Sequence, residues 1–199
     1  MPRQVVLASA SPSRQRILAA AGVEFSISPA DLDEHEIKRS LKSEHATPEE
    51  VALTLATMKA VRISDNNRDA LVIGADQMLT SGMAQFDKPV DWEAARATLR
   101  TLRGRSHRLH AGLAVAIAGT VVWHHVETAT LTMRAFSDEF LETYLANAGD
   151  GILSSVGAYH LEGIGVQLFD TIDGDYFTIL GLPILPLVAC LREHGALMS

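Results

Sequence analysis

Val5-Val6-Leu7-Ala8-Ser9-Ala10-Ser11-Pro12-Ser13-Arg14 decides the fold class of this chain. Val5 to Ala8 is a short β-branched run ending in a small residue, which reads as a buried strand. Ser11-Pro12 then opens a helix, with Ser as N-cap and Pro at the first helical position. Ile17, Leu18 and Ala21 give that helix an apolar stripe, and Gly22 stops it. A strand that runs through a hydroxyl-rich loop straight into a helix is a building block of α/β folds.

The same mix continues outward from this stretch. Phe25 and Ile27 alternate with Ser26 and Ser28, which reads as a second short strand. Residues 30–46 are polar and charged without a firm period, and read as irregular or mobile. Thr47-Pro48-Glu49-Glu50 is a capping box, and its helix runs through Leu55 and Lys59 to about Ile63. Leu71 to Asp76 reads as a buried strand ending on a carboxylate, and Ser81-Gly82 as a hairpin turn. Asp91 caps a helix from Trp92 to about Leu102. Leu109–Ala118 and Thr120–Met133 read as long strands joined near Gly119. Ser137 caps a helix through Phe140, Leu141 and Tyr144. Gly157–Phe169 and Tyr176–Leu180 read as strands around an Asp173-Gly174 turn, and Pro183 starts a final helix ending at His194-Gly195. Early alternation of helix and strand, followed by long strand pairs, predicts an α/β fold with a mixed sheet.

Composition narrows the function. The chain has 199 residues, 47% of them hydrophobic, which suits one domain, 1–199, with a sizeable core. Its 24 acidic against 17 basic residues leave a net charge of -7, which argues against a general nucleic-acid coat. A small anion held by a few local cations remains compatible with that balance. The single Cys190 excludes an internal disulfide framework and a cysteine-based structural zinc site. The apolar stretch Ile179–Leu191 is too short to span a membrane and holds Pro183 and Pro186. Met1 to Ala8 lacks the long apolar region of a signal peptide. The expectation is a soluble, cytoplasmic protein with no membrane partner.

Four places could carry chemistry. Ser9 to Arg14 offers free backbone N–H groups at a helix start and a planar cation, both suited to phosphate. Taken alone it is more often an ordinary N-cap beside a surface arginine. Asp76, directly after a buried strand, could bind a divalent metal or serve as a general base for water, or could simply cap a turn. Lys88, held extended by Pro89, and Lys59, on the helix opened by Thr47, could each present an ammonium to phosphate. Each alone is more often a solvated lysine. His124 and His125 are strand neighbours on opposite faces and cannot share a metal. His35 and His45 lack ligand spacing, and Gly163-Ile164-Gly165 lacks the helix that a dinucleotide fingerprint needs.

Together and in order, these signals resemble the Maf family of nucleotide pyrophosphatases, named for septum-formation inhibition. Leu7-Ala8-Ser9-Ala10-Ser11-Pro12 with Arg14 is similar to its opening motif, and Asp33-Glu34 to its acidic pair. Leu55-Ala56 with Lys59-Ala60, Ile73-Gly74-Ala75-Asp76 and Asp87-Lys88-Pro89 follow in family order. Leu102-Arg103-Gly104-Arg105 with His107, then Gly157-Ala158-Tyr159, Glu162-Gly163, Gly174-Asp175-Tyr176 and Gly181-Leu182-Pro183, complete the pattern. The resemblance covers nearly the whole chain.

It implies an elongated, curved mixed sheet flanked by helices, with two lobes and a cleft between them. It implies hydrolysis of a nucleoside triphosphate to the monophosphate and pyrophosphate with Mg²⁺ or Mn²⁺. Asp76 would be the proton acceptor, with Glu34, Lys59 and Lys88 as the other catalytic residues. Glu34 and Asp76 would hold the metal, and Ser9 and Arg14 the triphosphate. A homodimer is a family expectation only. Two residues depart from the pattern: Ser13 stands where many members have Arg, and Ser155 where many have Lys. The selectivity positions carry Ser13, Gln77 and Glu162. The last two resemble the branch that acts on 7-methyl-GTP rather than the branch that acts on dTTP and UTP. A carboxylate at 162 can accept from both guanine N1–H and the N2 amino group, whereas uracil offers a single N–H between two acceptors. A regulatory nucleotide-binding protein affecting septum formation is the competing implication.

Overall fold

The computed structural model describes residues 2–198. Its elements in chain order are β1 (Val5–Leu7), α1 (Pro12–Ala20), β2 (Ser26–Ile27), α2 (Glu34–Ser43), α3 (Pro48–Ser64), β3 (Leu71–Ser81) and β4 (Ala84–Phe86). They continue with α4 (Trp92–Leu102), β5 (Ser106–Ile117), β6 (Thr120–Met133), α5 (Asp138–Ala148), β7 (Phe169–Asp173), α6 (Tyr176–Ile179) and α7 (Ile184–Glu193). The strands form a seven-stranded mixed sheet in the order β2-β1-β3-β5-β6-β7, with β4 paired to β3. β1 runs parallel to both β2 and β3, whereas β3–β4 and β6–β7 are antiparallel. This is the mixed α/β fold expected from the sequence.

Two compact units divide the chain. The first holds residues up to Gln77, His110–Glu127 and Gly181 onward; the second holds Met78–Leu109 and Thr128–Leu180. In the first unit, Val6, Ala8, Ala70 and Val72 pack as one buried cluster with Ile63 against it. A second cluster consists of alanines alone: Ala56 and Ala60 of α3 against Ala114 and Ala116 of β5. In the second unit a larger core gathers Leu79, Leu99, Leu102, Leu109, Leu131, Met133, Leu141 and Tyr144. Full burial of side chains of this size contributes about 1.5–3 kcal/mol each.

Local chemistry starts the helices where the sequence placed them. The Thr47 hydroxyl accepts the Glu50 N–H at 3.2 Å and the Glu50 carboxylate accepts the Thr47 N–H at 2.7 Å, closing both arms of the capping box of α3. Asp91 Oδ1 accepts the Ala94 N–H at 2.7 Å to start α4. The Ser137 hydroxyl accepts the Phe140 N–H at 3.1 Å to start α5.

Four sequence expectations need correction. Residues 30–46 are not irregular, because α2 occupies Glu34–Ser43. It buries none of its residues fully, and its apolar face is only Ile37 and Leu41, four residues apart and half-buried, too short a period to read among the charges around it. Its local signals are the Asp33 cap, Glu34 and Glu36 in the first turn and Lys42 in the last. The strand from Leu71 does not end at Asp76 but continues to Ser81. Gly157–Phe169 is no strand; two 3-10 turns, Asp150–Ser154 and Ile164–Leu168, flank and fill this region. Ala158 there has φ 57, and a Cβ on Gly157 would lie 2.2 Å from the Tyr159 ring, so the backbone folds back too tightly to pair. Tyr176–Leu180 is also no strand. Asp175 Oδ1 accepts the N–H groups of Phe177 and Thr178 and starts the short helix α6.

Candidate active site

The site is assembled by a close approach of α3 to the sheet. Ala52, Ala56 and Ala60 recur every fourth residue along α3, so they share one face. Opposite them the sheet carries Gly112 on β5 and Gly74 on β3. A Cβ on Gly112 would lie 2.5 Å from the Ala52 carbonyl carbon, and one on Gly74 would lie 1.9 Å from the Ala56 carbonyl oxygen. Only glycine permits that contact, so helix backbone rests directly on strand backbone. Asp76, two residues beyond Gly74, points to the same face of β3. Lys59, next to Ala60, therefore meets it.

Lys59 Nζ donates to Asp76 Oδ1 at 2.6 Å and lies 2.7 Å from Glu34 Oε1. Lys59 is 7% exposed and Asp76 6%, so the pair is shielded from water. Glu34, the first residue of α2, is half-exposed. Asp33 beside it faces a different task, since Oδ1 accepts the Glu36 N–H at 2.9 Å as the cap of α2. The acidic pair is thus divided between building the helix and reaching the lysine. The buried lysine that balances Asp76 also explains how a charged residue follows directly on the buried, apolar run Leu71–Ala75 of that strand.

Arg14 supplies the second cation. Its Nε donates to the Gly181 carbonyl at 2.9 Å, and its Nη1 donates to the Ala75 carbonyl at 2.9 Å and to the Ser9 hydroxyl at 3.1 Å. Burial lowers its pKa from the ordinary arginine value, while the charges of Asp76 and Glu34 pull it back up. The side chain remains a cation. It ties the Ser9 loop, β3 and the Gly181 turn together. The buried Ser9 hydroxyl also accepts the Ser11 N–H at 3.3 Å, which shapes the loop before α1. Gly181 has φ 87, and a Cβ there would lie 3.5 Å from Gln77 Oε1, so Gln77 borders the same turn.

The first unit therefore brings together Ser9, Arg14, Glu34, Lys59, Asp76 and Gln77. Ser13, the remaining candidate of this unit, is on α1, where its hydroxyl accepts from Arg16 Nη2 at 3.1 Å. Lys88 and Glu162 belong to the second unit. Lys88 is exposed in the segment after β4, and Glu162 is exposed in a turn before Ile164–Leu168. Sequence reasoning missed Gly74, Ala75 and Gly181 as working parts of the site. The Ala52-Ala56-Ala60 spacing was the available sign of a backbone-to-backbone seat.

His107, from the central motif, does different work within the second unit. It is 1% exposed, Nε2 shares a 2.7 Å hydrogen bond with the Tyr159 hydroxyl, and its ring packs against Phe169. Burial lowers its pKa to about 4, so the ring is neutral near pH 7. The Tyr144 hydroxyl donates to the Ala158 carbonyl at 3.1 Å, and burial pushes the pKa of both tyrosines up. This cluster pins the tight Gly157-Ala158-Tyr159 turn.

The sheet of the first unit thus carries a shielded lysine between two carboxylates beside an arginine-braced loop, charges of the kind that phosphate chemistry uses. The chain belongs to the Maf family: the family described as Maf-like protein matches residues 4–194. A nucleoside triphosphate pyrophosphatase of Granulibacter bethesdensis is 50% identical over 98% of this chain and 98% of its own length. A 7-methyl-GTP pyrophosphatase of Brucella abortus is 49% identical, with 98% of each chain covered. Among solved structures, a HAM1 protein from Coxiella burnetii aligns with a TM-score of 0.40 at 16% identity, covering 67% of this chain and 74% of that one. Among the described residues, no helix is long and apolar enough to cross a membrane.

Proposed function

We propose that this chain hydrolyses a nucleoside triphosphate to the monophosphate and pyrophosphate. The observation that carries the reading is the Lys59 ammonium held 2.6 Å from Asp76 and 2.7 Å from Glu34, in a chain of the Maf family. The two relatives above, each alike over nearly their full lengths, bear names of this activity.

Attack of water on the α-phosphorus needs a proton acceptor and a way to hold growing negative charge on the phosphate oxygens. Asp76 takes the proton and orients the water; before a triphosphate binds, Lys59 holds that carboxylate through Oδ1. Ser9 and Arg14 bind the triphosphate at the start of α1. Three of the five N–H groups of Arg14 are committed to Ser9, Ala75 and Gly181, which leaves its Nη2 hydrogens for a phosphate oxygen. Lys88 adds a point charge. No covalent nucleophile enters this scheme.

A divalent metal, Mg²⁺ or Mn²⁺, suits the site because two carboxylate oxygens already converge on one cationic atom. Glu34 and Asp76 would hold it. Among the described residues no group of three or more His, Cys, Asp or Glu could hold a metal, so phosphate and water would complete its shell. When bound, the metal supplies stabilisation of phosphate charge.

Gln77 and Glu162 favour a guanine-type base, 7-methyl-GTP among them, with Ser13 as the third selectivity position. A homodimer and a cytoplasmic location belong to the same proposal. Pyrophosphate release from 7-methyl-GTP, GTP, UTP and dTTP with Mg²⁺ or Mn²⁺ tests it. Release from 7-methyl-GTP above the others is the expected result; preference for UTP and dTTP would move the chain to the other branch. Tight nucleotide binding without turnover would leave a regulatory binding protein.

A further inference from the structure

Lys59 is a cation sitting where the two metal carboxylates converge. Its ammonium has three donors, and two point at Glu34 and Asp76 at charge-assisted distances. With Lys59 and Asp76 both buried, little water screens the interaction. Lys59 and Arg14 bring two positive charges to face the two negative charges of Glu34 and Asp76. Arg14 too lies in the field of the Asp76 and Glu34 charges. A divalent ion entering alone would meet carboxylates already neutralised and a lysine in its place. A triphosphate changes that balance, because its oxygens offer the ammonium a new partner. The four-carbon lysine stem can swing to it without moving α3.

We propose that Lys59 is the resident cation of the Glu34–Asp76 pair and withholds both carboxylates from divalent metal until a triphosphate draws the ammonium away. Metal then joins the site with nucleotide rather than before it. This rests on the assignment of Glu34 and Asp76 as the metal carboxylates.

The test is Mn²⁺ binding to nucleotide-free protein, read by loss of the free-ion electron paramagnetic resonance signal. Lys59→Met keeps the length of the side chain and removes the charge. It should bind Mn²⁺ roughly tenfold or more tightly than the wild type, as expected for removing a unit positive charge next to the ion. That gain should vanish in Lys59→Met/Glu34→Gln. Equal, measurable affinities of Lys59→Met and wild type would overturn the proposal while leaving the metal assignment intact. If neither bound Mn²⁺ even with the α,β-methylene analogue of the hydrolysed triphosphate, the metal assignment itself would fall.

A second measurement needs only wild type and stands if the variant fails to fold. Lys59 is the buried lysine, whereas Lys38, Lys42 and Lys88 are not, so its ¹⁵Nζ resonance should be protected from exchange. Mn²⁺ alone should leave that resonance sharp, and Mn²⁺ with the analogue should broaden or shift it. Broadening by equimolar Mn²⁺ alone would overturn the proposal.

Discussion

Gly74→Ala tests whether the seat of α3 positions the chemistry. A Cβ at residue 74 would lie 1.9 Å from the Ala56 oxygen, 2.7 Å from the Ala60 nitrogen and 3.0 Å from the Ala56 carbonyl carbon. All three are backbone atoms, so no side chain can rotate out of the way. Cβ contacts under 3.0 Å essentially do not occur, so the helix must retreat by at least 3.0 minus 1.9, or 1.1 Å. Overpacking of this kind costs about 1–3 kcal/mol, which at about 2–4 °C per kcal/mol for a chain of this size lowers Tm by roughly 2–12 °C. Lys59 rides on the same turn as Ala60, and a displacement near 1 Å in a catalytic constellation reduces kcat by about 10²-fold. The assay pairs thermal unfolding with pyrophosphate release at saturating triphosphate. Gly22→Ala is the control: its φ is 72 but nothing lies within 4 Å, so it should lose stability and keep kcat. Wild-type Tm and kcat in Gly74→Ala would refute the seat. A lower Tm with unchanged kcat would show that the seat stabilises the fold without placing Lys59.

Other expectations follow from the site and the buried cluster. Asp76→Ala should reduce pyrophosphate release by about 10²–10⁴-fold while far-UV circular dichroism stays native; a folded variant with most of its activity would remove Asp76 from the mechanism. Glu162→Gln should shift the kcat/KM ratio of 7-methyl-GTP to UTP toward UTP by about tenfold or more, since a hydrogen bond to a charged group contributes about 1.5–3 kcal/mol; an unmoved ratio would mean that Glu162 does not read the base. His107 is neutral when folded down to about pH 4, whereas the unfolded chain takes up its proton near 6.5. Its contribution therefore falls as pH drops from about 6.5 to about 4, by about 3 kcal/mol in all, and is level above that window. Urea unfolding from pH 7 to pH 4 should show this loss in the wild type and a smaller one in His107→Gln; identical pH profiles would place the acid sensitivity elsewhere.

The sequence by itself determined the elements whose causes are local. Thr47, Asp91 and Ser137 each satisfy a backbone N–H three residues on, so the starts of α3, α4 and α5 could be read directly from residue order. It also named the candidate residues, because order along a chain is what a family motif records. What failed locally was local chemistry with two readings: Asp175 serves a turn or a helix start equally well, and α2 carries an apolar stripe of only two residues, Ile37 and Leu41. Only the tertiary structure decided which candidates meet. Lys59, Glu34 and Asp76 lie on three different elements, and nothing in their spacing brings them within 2.7 Å. The cause is a pair of missing side chains, at Gly74 and Gly112, that lets a helix lie on a sheet. The same contact turned Lys59 from a solvated helical lysine into a buried cation. It also let Asp76 stand in the middle of a strand rather than at its end. Burial and charge pairing are properties of what surrounds a residue, and those surroundings come from distant parts of the chain.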